Sequence, residues 1–143
     1  MKYLELAETK SLPRVASIQN AYNLVNRGFE IGLSEVAMHE QVGLLAYSPL
    51  AQGTLTGKYL GGQMPQGSRL ALFGDGPLMM RYKGDKTQQA IEMYVNLAKK
   101  YEIDPAQLAI QFCNIQPFVT STIIGATTMK QLKTCIDSVD PVS

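Results

Sequence analysis

Val42–Lys58 reads VGLLAYSPLAQGTLTGK, and its first third decides the fold. Val42–Ala46 is a continuous, mostly apolar run, too short for a helix and without apolar/polar alternation. It therefore reads as part of a strand, Val42–Tyr47, covered on both faces as in parallel sheets. Pro49 has no N–H to give a sheet ladder, so the strand stops before it. A polar loop carrying Gly53, Gly57 and Lys58 follows. In α/β folds, loops at the carboxyl ends of parallel strands are where ligands bind.

Working outward, the flanking elements alternate. Residues 2–10 read as the last turns of a helix, closed before Pro13, and Arg14–Gln19 reads as a short strand. Residues 21–33 are polar and irregular, anchored by Leu24, Val25 and Phe29. Ser34 is placed to cap a helix over Glu35–Glu40, with acid in its first turn as the helix dipole prefers. Residues 49–84 hold most of the glycines and three of the seven prolines. A connection that long either carries a ligand or is disordered.

The second half is more regular. Asp85 and Gln88 have capping-pair spacing, and Ile91, Tyr94, Val95, Ala98 and Tyr101 recur at helical intervals behind them. Asp104-Pro105 restarts a helix, with a side-chain cap followed by proline at the first helical position. Leu108, Ala109 and Phe112 supply its buried stripe. Val119–Ile124 is another strand, ended by Gly125. Thr128 with Gln131 three residues on opens a last helix, Met129–Val139, in a capping-box pattern. The result is an α/β chain with three parallel-type strands, read as one domain over 1–143, a half or slightly less of a βα barrel.

Composition bounds the function. The chain has 143 residues, 45% hydrophobic and 17% charged, values of a globular domain with a core. A net charge of +1 without a dense Lys/Arg run gives no surface for nucleic acid. No apolar run approaches the roughly 20 residues of a membrane span, and the first ten residues are too polar for a signal sequence. Cys113 and Cys135 stand alone, which fits reduced thiols in a cytoplasm.

Four motifs carry a family resemblance: IQNAYNLVNR (Ile18–Arg27), LLAYSPLAQGTLTGKY (Leu44–Tyr59), DPAQLAI (Asp104–Ile110) and STIIGATTMKQL (Ser121–Leu132). In this order and spacing the chain resembles the carboxyl-terminal part of the aldo-keto reductases, in the bacterial branch related to potassium-channel β subunits. The resemblance implies a (β/α)₈ barrel that reduces carbonyls with NADPH lying across the carboxyl-terminal rim. The three strands would then be its sixth, seventh and eighth, so the fold expected is a partial barrel.

The same resemblance assigns roles, each with a plainer structural alternative. Gln19 matches the glutamine that holds the nicotinamide carboxamide, and otherwise is a polar strand-end residue. Tyr47 matches the ring that stacks on the nicotinamide, a sensible use of an aromatic face against a planar cation. Ser48, Pro49, Leu50, Ala51 and Gln52 match the segment around the pyrophosphate, and otherwise form a turn. Lys58 and Arg69 match basic residues near the phosphates, and otherwise are solvated charges. Gly125, Thr127 and Gln131 match positions around the adenosine 2′-phosphate and ribose, at the amide-rich start of a helix. Gln131 has a competing use, reaching back to Thr128 within the capping box. Thr134 and Cys135 depart from the acid and asparagine that hold adenine in relatives, and a thiol is a weak hydrogen-bond partner.

The family's catalytic Asp, Tyr, Lys and His come from the first half of the barrel, so no catalytic residue is expected here. His39, the single histidine, falls on the helix before the second strand and reads as a surface residue. A tyrosine of ordinary pKa near 10 needs such neighbours to donate its proton. Three strands cannot close a barrel of about 250 residues, and their free edges invite pairing. The expectation is a homo-oligomer, a dimer through the exposed barrel-interior face, without nucleic acid or membrane. Three functional readings stay open: a fragment keeping part of an NADP(H) rim without catalysis, half of a split reductase, and a non-enzymatic interaction domain.

Overall fold

In a computed structural model, which describes residues 2–74 and 76–139, a parallel sheet of order β1-β2-β3 comprises Ser17–Ala21, Gly43–Tyr47 and Val119–Ile123. Ser17 to Ala21 pair with Gly43 to Tyr47 without a break. Between β2 and β3 the register slips at Leu44/Leu45, so Thr120 is an extra residue bulged from the ladder. Gly43 makes room for it: a Cβ there would run into the Thr120 hydroxyl. The three parallel strands with flanking helices are those expected of a partial barrel.

Helices α1 (Lys2–Thr9), α2 (Leu33–His39), α5 (Asp85–Lys100), α6 (Pro105–Asn114) and α7 (Met129–Asp137) are joined by two short ones, α3 (Arg69–Phe73) and α4 (Pro77–Met80). Proline at the first position and an Asp104 side chain accepting from Ala106 N at 2.7 Å start α6. Thr128 caps α7 by accepting from Gln131 N at 3.2 Å. Both starts match the sequence expectation, because each cap is a local side chain-to-backbone bond that needs no distant partner.

The core lies on one face of the sheet. Leu44 and Ala46, fully buried, pack with Tyr22, Phe29, Ala37, Cys113 and Phe118, and Ile18 and Val119 complete that layer from the flanking strands. Tyr22 stacks on Phe112 at 5.6 Å and meets Phe118 edge-on at 5.3 Å. A second cluster of Leu55, Tyr82, Ile91, Val95 and Ala109 fastens the loop after β2 to α5 and α6. Neither cluster includes Gln19, Leu45, Tyr47, Ser121 or Ile123, which point the other way. The expectation that β2 is covered on both faces is thus corrected: its residues alternate between half-buried and buried, because the helices pack on one side only.

Several local expectations also shift. The first strand is Ser17–Ala21, not Arg14–Gln19, because β2 offers hydrogen-bond partners from Gly43 onward. Arg14 instead donates to the Glu40 carbonyl at 2.6 Å and the Glu40 carboxylate at 3.2 Å, closing the end of α2. Ser34 does not cap. Gly32, with φ 86°, is the cap residue, and the Ser34 hydroxyl donates to the Glu30 carbonyl from inside the helix. Asp85 and Gln88 form no capping pair: Gly84 is the cap residue, and Gln88 Nε2 donates to the Tyr82 carbonyl at 2.6 Å. The third strand ends at Ile123 and the last helix at Asp137. Residues 49–84 are not a bare loop. Apart from Asp75, which lies outside the described residues, they form 3-10 turns, α3 and α4.

Candidate functional site

All three strands point their carboxyl ends to one rim, and the segment leaving β2 is the most strained part of it. Ser48, Ala51 and Gln52 have left-handed backbone (φ 56°, 48° and 63°) although none is glycine, and Gly53 follows at 92°. Each such non-glycine residue costs on the order of 1–3 kcal/mol, and conformations of this kind concentrate at functional sites. Local hydrogen bonds hold the turn: Ala51 N donates to the Ser48 carbonyl, Gly53 N to the Leu50 carbonyl, and the Thr54 hydroxyl to the Ala51 carbonyl. Pro49 and Ala51 are buried beneath it, with Leu50 half-buried beside them.

Two cations converge on this turn. The Lys58 side chain runs across Gly53, where an added Cβ would sit 2.9 Å from both Cε and Nζ. Arg69, in the first turn of α3, donates to the Gln52 side-chain oxygen, and Gln52 in turn reaches the Ser48 hydroxyl at 3.3 Å. Four sequence-predicted residues, Ser48, Gln52, Lys58 and Arg69, are therefore gathered at one place. The long segment 49–84 folds back on itself to do this, with Leu70 N donating to the Tyr59 hydroxyl.

Tyr47 and Gln19 stand on the uncovered face. Gln19 pairs with Leu45, so Tyr47 lies two residues further along the neighbouring strand. Gln19 is exposed and Tyr47 half-buried. At the far side of the rim, Ile124, Gly125, Thr127, Thr128, Met129 and Leu132 line an open depression of about 330 Å³. There Gln131 Oε1 accepts from Thr127 N at 2.9 Å and from the Thr127 hydroxyl at 3.0 Å. Gln131 thus reaches back into the turn, to Thr127 rather than to Thr128, and leaves its amide nitrogen as the group available to a ligand. Cys135 is buried, and the Thr134 hydroxyl donates to the Lys130 carbonyl within α7.

Other polar groups serve packing. Tyr22 donates to Glu30 at 2.5 Å, and Arg27 holds both oxygens of the same carboxylate at 2.7 Å. Burial and then the Glu30 carboxylate raise the Tyr22 pKa. Burial pushes the Cys113 thiol up to about 12, and both cysteines are free. His39 is exposed on α2, next to Glu40. Among the described residues no group of His, Cys, Asp and Glu is placed to hold a metal ion, and no helix is long and apolar enough to cross a membrane.

Sequence reasoning missed Asn23, Arg81 and Tyr82. Asn23 is fully buried, donating to the Ser48 carbonyl at 2.9 Å and to the Tyr82 hydroxyl at 3.2 Å. The nearby hydroxyls of Tyr47 and Tyr82 raise the Arg81 guanidinium pKa. No local signal marks Asn23 and Tyr82, since the partners in these bonds lie 25 and 59 residues apart.

The Aldo/keto reductase family pattern matches residues 1–141. Protein tas of Escherichia coli is 54% identical over 138 residues, covering 96% of this chain and 39% of its own length. An aldo-keto reductase of Babesia bovis is 37% identical, covering 93% of this chain and 48% of the relative. A probable voltage-gated potassium channel subunit beta of rice is 38% identical over 101 residues, 71% of this chain and 31% of that protein. The chain spans less than half the length of these relatives and matches their carboxyl-terminal part. It belongs to the aldo/keto reductase family.

Proposed function

We propose that this aldo/keto reductase chain holds NADPH along its rim but does not carry the proton-donating group that carbonyl reduction needs. The observation that carries the reading is the convergence of Lys58, Arg69, Gln52 and the left-handed Ser48–Gly53 turn beside Tyr47. Two cations on a strained, amide-rich turn suit a pyrophosphate better than they suit packing. When bound, the cofactor supplies a hydride. The chain's residues bind and orient it. Gln19 offers an amide to the carboxamide, and Tyr47 offers its ring to the nicotinamide. Ser48–Gln52 offer backbone and hydroxyl groups to the pyrophosphate. Gly125, Thr127 and the Gln131 amide nitrogen face the 2′-phosphate end.

The chain has seven tyrosines and no tryptophan, so NADPH binding is expected to quench tyrosine fluorescence. Tyr47→Ala should weaken binding about three- to tenfold, the worth of an aromatic stacking contact. NADPH binding no tighter than NADH would sink the cofactor reading. The absence of turnover is supported by His39, the sole histidine, lying exposed on α2 in a layer apart from the rim residues. Purified chain consuming NADPH with an aldehyde would refute that half of the proposal.

The uncovered sheet face supports a partner reading as well. Leu45, Tyr47 and Ile123 share that face, with Ile123 39% exposed, and β1 and β3 each have one unpaired edge among the described residues. Burying it against a second copy forms an isologous dimer. Light scattering is expected to give twice the monomer mass at micromolar concentration, and Leu45→Lys to halve it. A soluble monomer would count against this face as a dimer interface.

A further inference from the structure

The two rim cations stand on different elements, Lys58 just after the 3-10 turn that follows β2 and Arg69 in α3, and one buried side chain meets both supports. Tyr59 closes the motif Leu44–Tyr59 and is only 8% exposed. The Lys58 ammonium lies over its ring, 5.1 Å from the centroid. An aromatic face attracts such a cation through its quadrupole. The Tyr59 hydroxyl accepts from Leu70 N at 3.4 Å. That N–H belongs to the first turn of α3, where backbone donors lack partners inside the helix. The Ser68 hydroxyl takes a second such donor, Ala71 N, at 3.3 Å. Arg69 immediately precedes Leu70, so the bond fixes the backbone from which Arg69 reaches Gln52. Gly53 leaves room for the assembly: a Cβ there would sit 2.9 Å from Lys58 Nζ and 3.7 Å from the Tyr59 hydroxyl. Among the described residues no carboxylate forms an ion pair with Lys58. A ring holds an ammonium without neutralising it, whereas a carboxylate would cancel the charge that a phosphate needs.

We propose that Tyr59 is a positioning residue that presets both rim cations for a pyrophosphate, its ring holding the Lys58 ammonium and its hydroxyl the start of the helix that carries Arg69. A lysine side chain has four rotatable bonds, and ordering one on binding costs affinity. A side chain already parked at the turn loses less freedom when the ligand arrives. The ligand half of this inference rests on the cofactor reading above. The placement of the two cations in the free chain does not.

The experiment compares wild type, Tyr59→Phe and Tyr59→Leu, each also in a Lys58→Met background. NMR of the ligand-free chain reads the placement directly. The Lys58 ε-methylene protons should show an upfield ring-current shift in wild type and Tyr59→Phe that is lost in Tyr59→Leu. Exchange of the Leu70 amide should quicken in both variants. In NADPH titrations Tyr59→Leu is expected to bind about threefold to tenfold more weakly than Tyr59→Phe, the scale of ordering one long side chain. In Lys58→Met that difference should fall below about twofold, because the ring has no ammonium left to hold. A ring that merely fills space would lose the same amount in both backgrounds, which would overturn the proposal, as would equal binding by Tyr59→Phe and Tyr59→Leu. Wild type without the ring-current shift, or Tyr59→Phe with unchanged Leu70 exchange, would overturn it even where Tyr59→Leu does not fold. If wild type fails to bind NADPH, the cofactor reading fails alone, and the two NMR readouts still decide the placement.

Discussion

Alanine at Gly57 is expected to destabilise the chain by about 2–4 kcal/mol. Gly57 ends the 3-10 turn after β2 at φ 80°, a left-handed conformation in which a Cβ is penalised. The added carbon would lie 3.0 and 3.2 Å from the two γ-methyls of Val95. Val95 is 2% exposed on α5, in the cluster that fastens this loop. A β-branched side chain has little rotamer freedom with which to give way, so overpacking adds to the backbone cost. Gly61 is the internal control. It too has positive φ, at 67°, but an added Cβ meets nothing within 4 Å. Gly61→Ala should cost only the conformational part, about 1 kcal/mol. Urea unfolding of the two variants decides the matter, and equal midpoints would refute the account of the Gly57–Val95 contact.

Replacing both Lys58 and Arg69 by methionine should lower NADPH affinity by roughly a hundredfold or more, since hydrogen bonds to charged groups are worth about 1.5–3 kcal/mol each. The loss should shrink at high salt, because these partly exposed charges are screened. The two effects are not expected to add. Arg69 also holds the Gln52 side chain, and Gln52 holds the Ser48 hydroxyl. Removing Arg69 alone therefore loosens part of the turn across which Lys58 lies, and a double-mutant cycle should show coupling. Isothermal titration at two salt concentrations is the measurement. Affinity within threefold of wild type in the double variant would mean that the cations serve the fold and not a phosphate.

The legible parts of this chain were those governed by short-range chemistry. Asp104-Pro105 and Thr128 each start a helix through a bond to a backbone N–H two or three residues away. The apolar run before Tyr47 needed only its length and Pro49 to be read as a strand. Ser34 and the Asp85/Gln88 pair have equally good local patterns, yet neither caps. There the choice was made from outside the motif: Ser34 is drawn to the Glu30 carbonyl and Gln88 to the Tyr82 carbonyl. The first strand shifted for the same reason, since a strand exists only where a neighbour supplies hydrogen bonds.

By itself the sequence determined the family, the order of strands and helices, and which residue types reach the rim, because periodicity, capping and motif spacing are written locally. Only the tertiary structure decided that a single face of the sheet is covered, that Lys58 and Arg69 meet at Gln52 and Gly53, and that Asn23 ties the Ser48 carbonyl to the Tyr82 hydroxyl. Those outcomes depend on which distant groups can satisfy one another's hydrogen bonds once the core has closed.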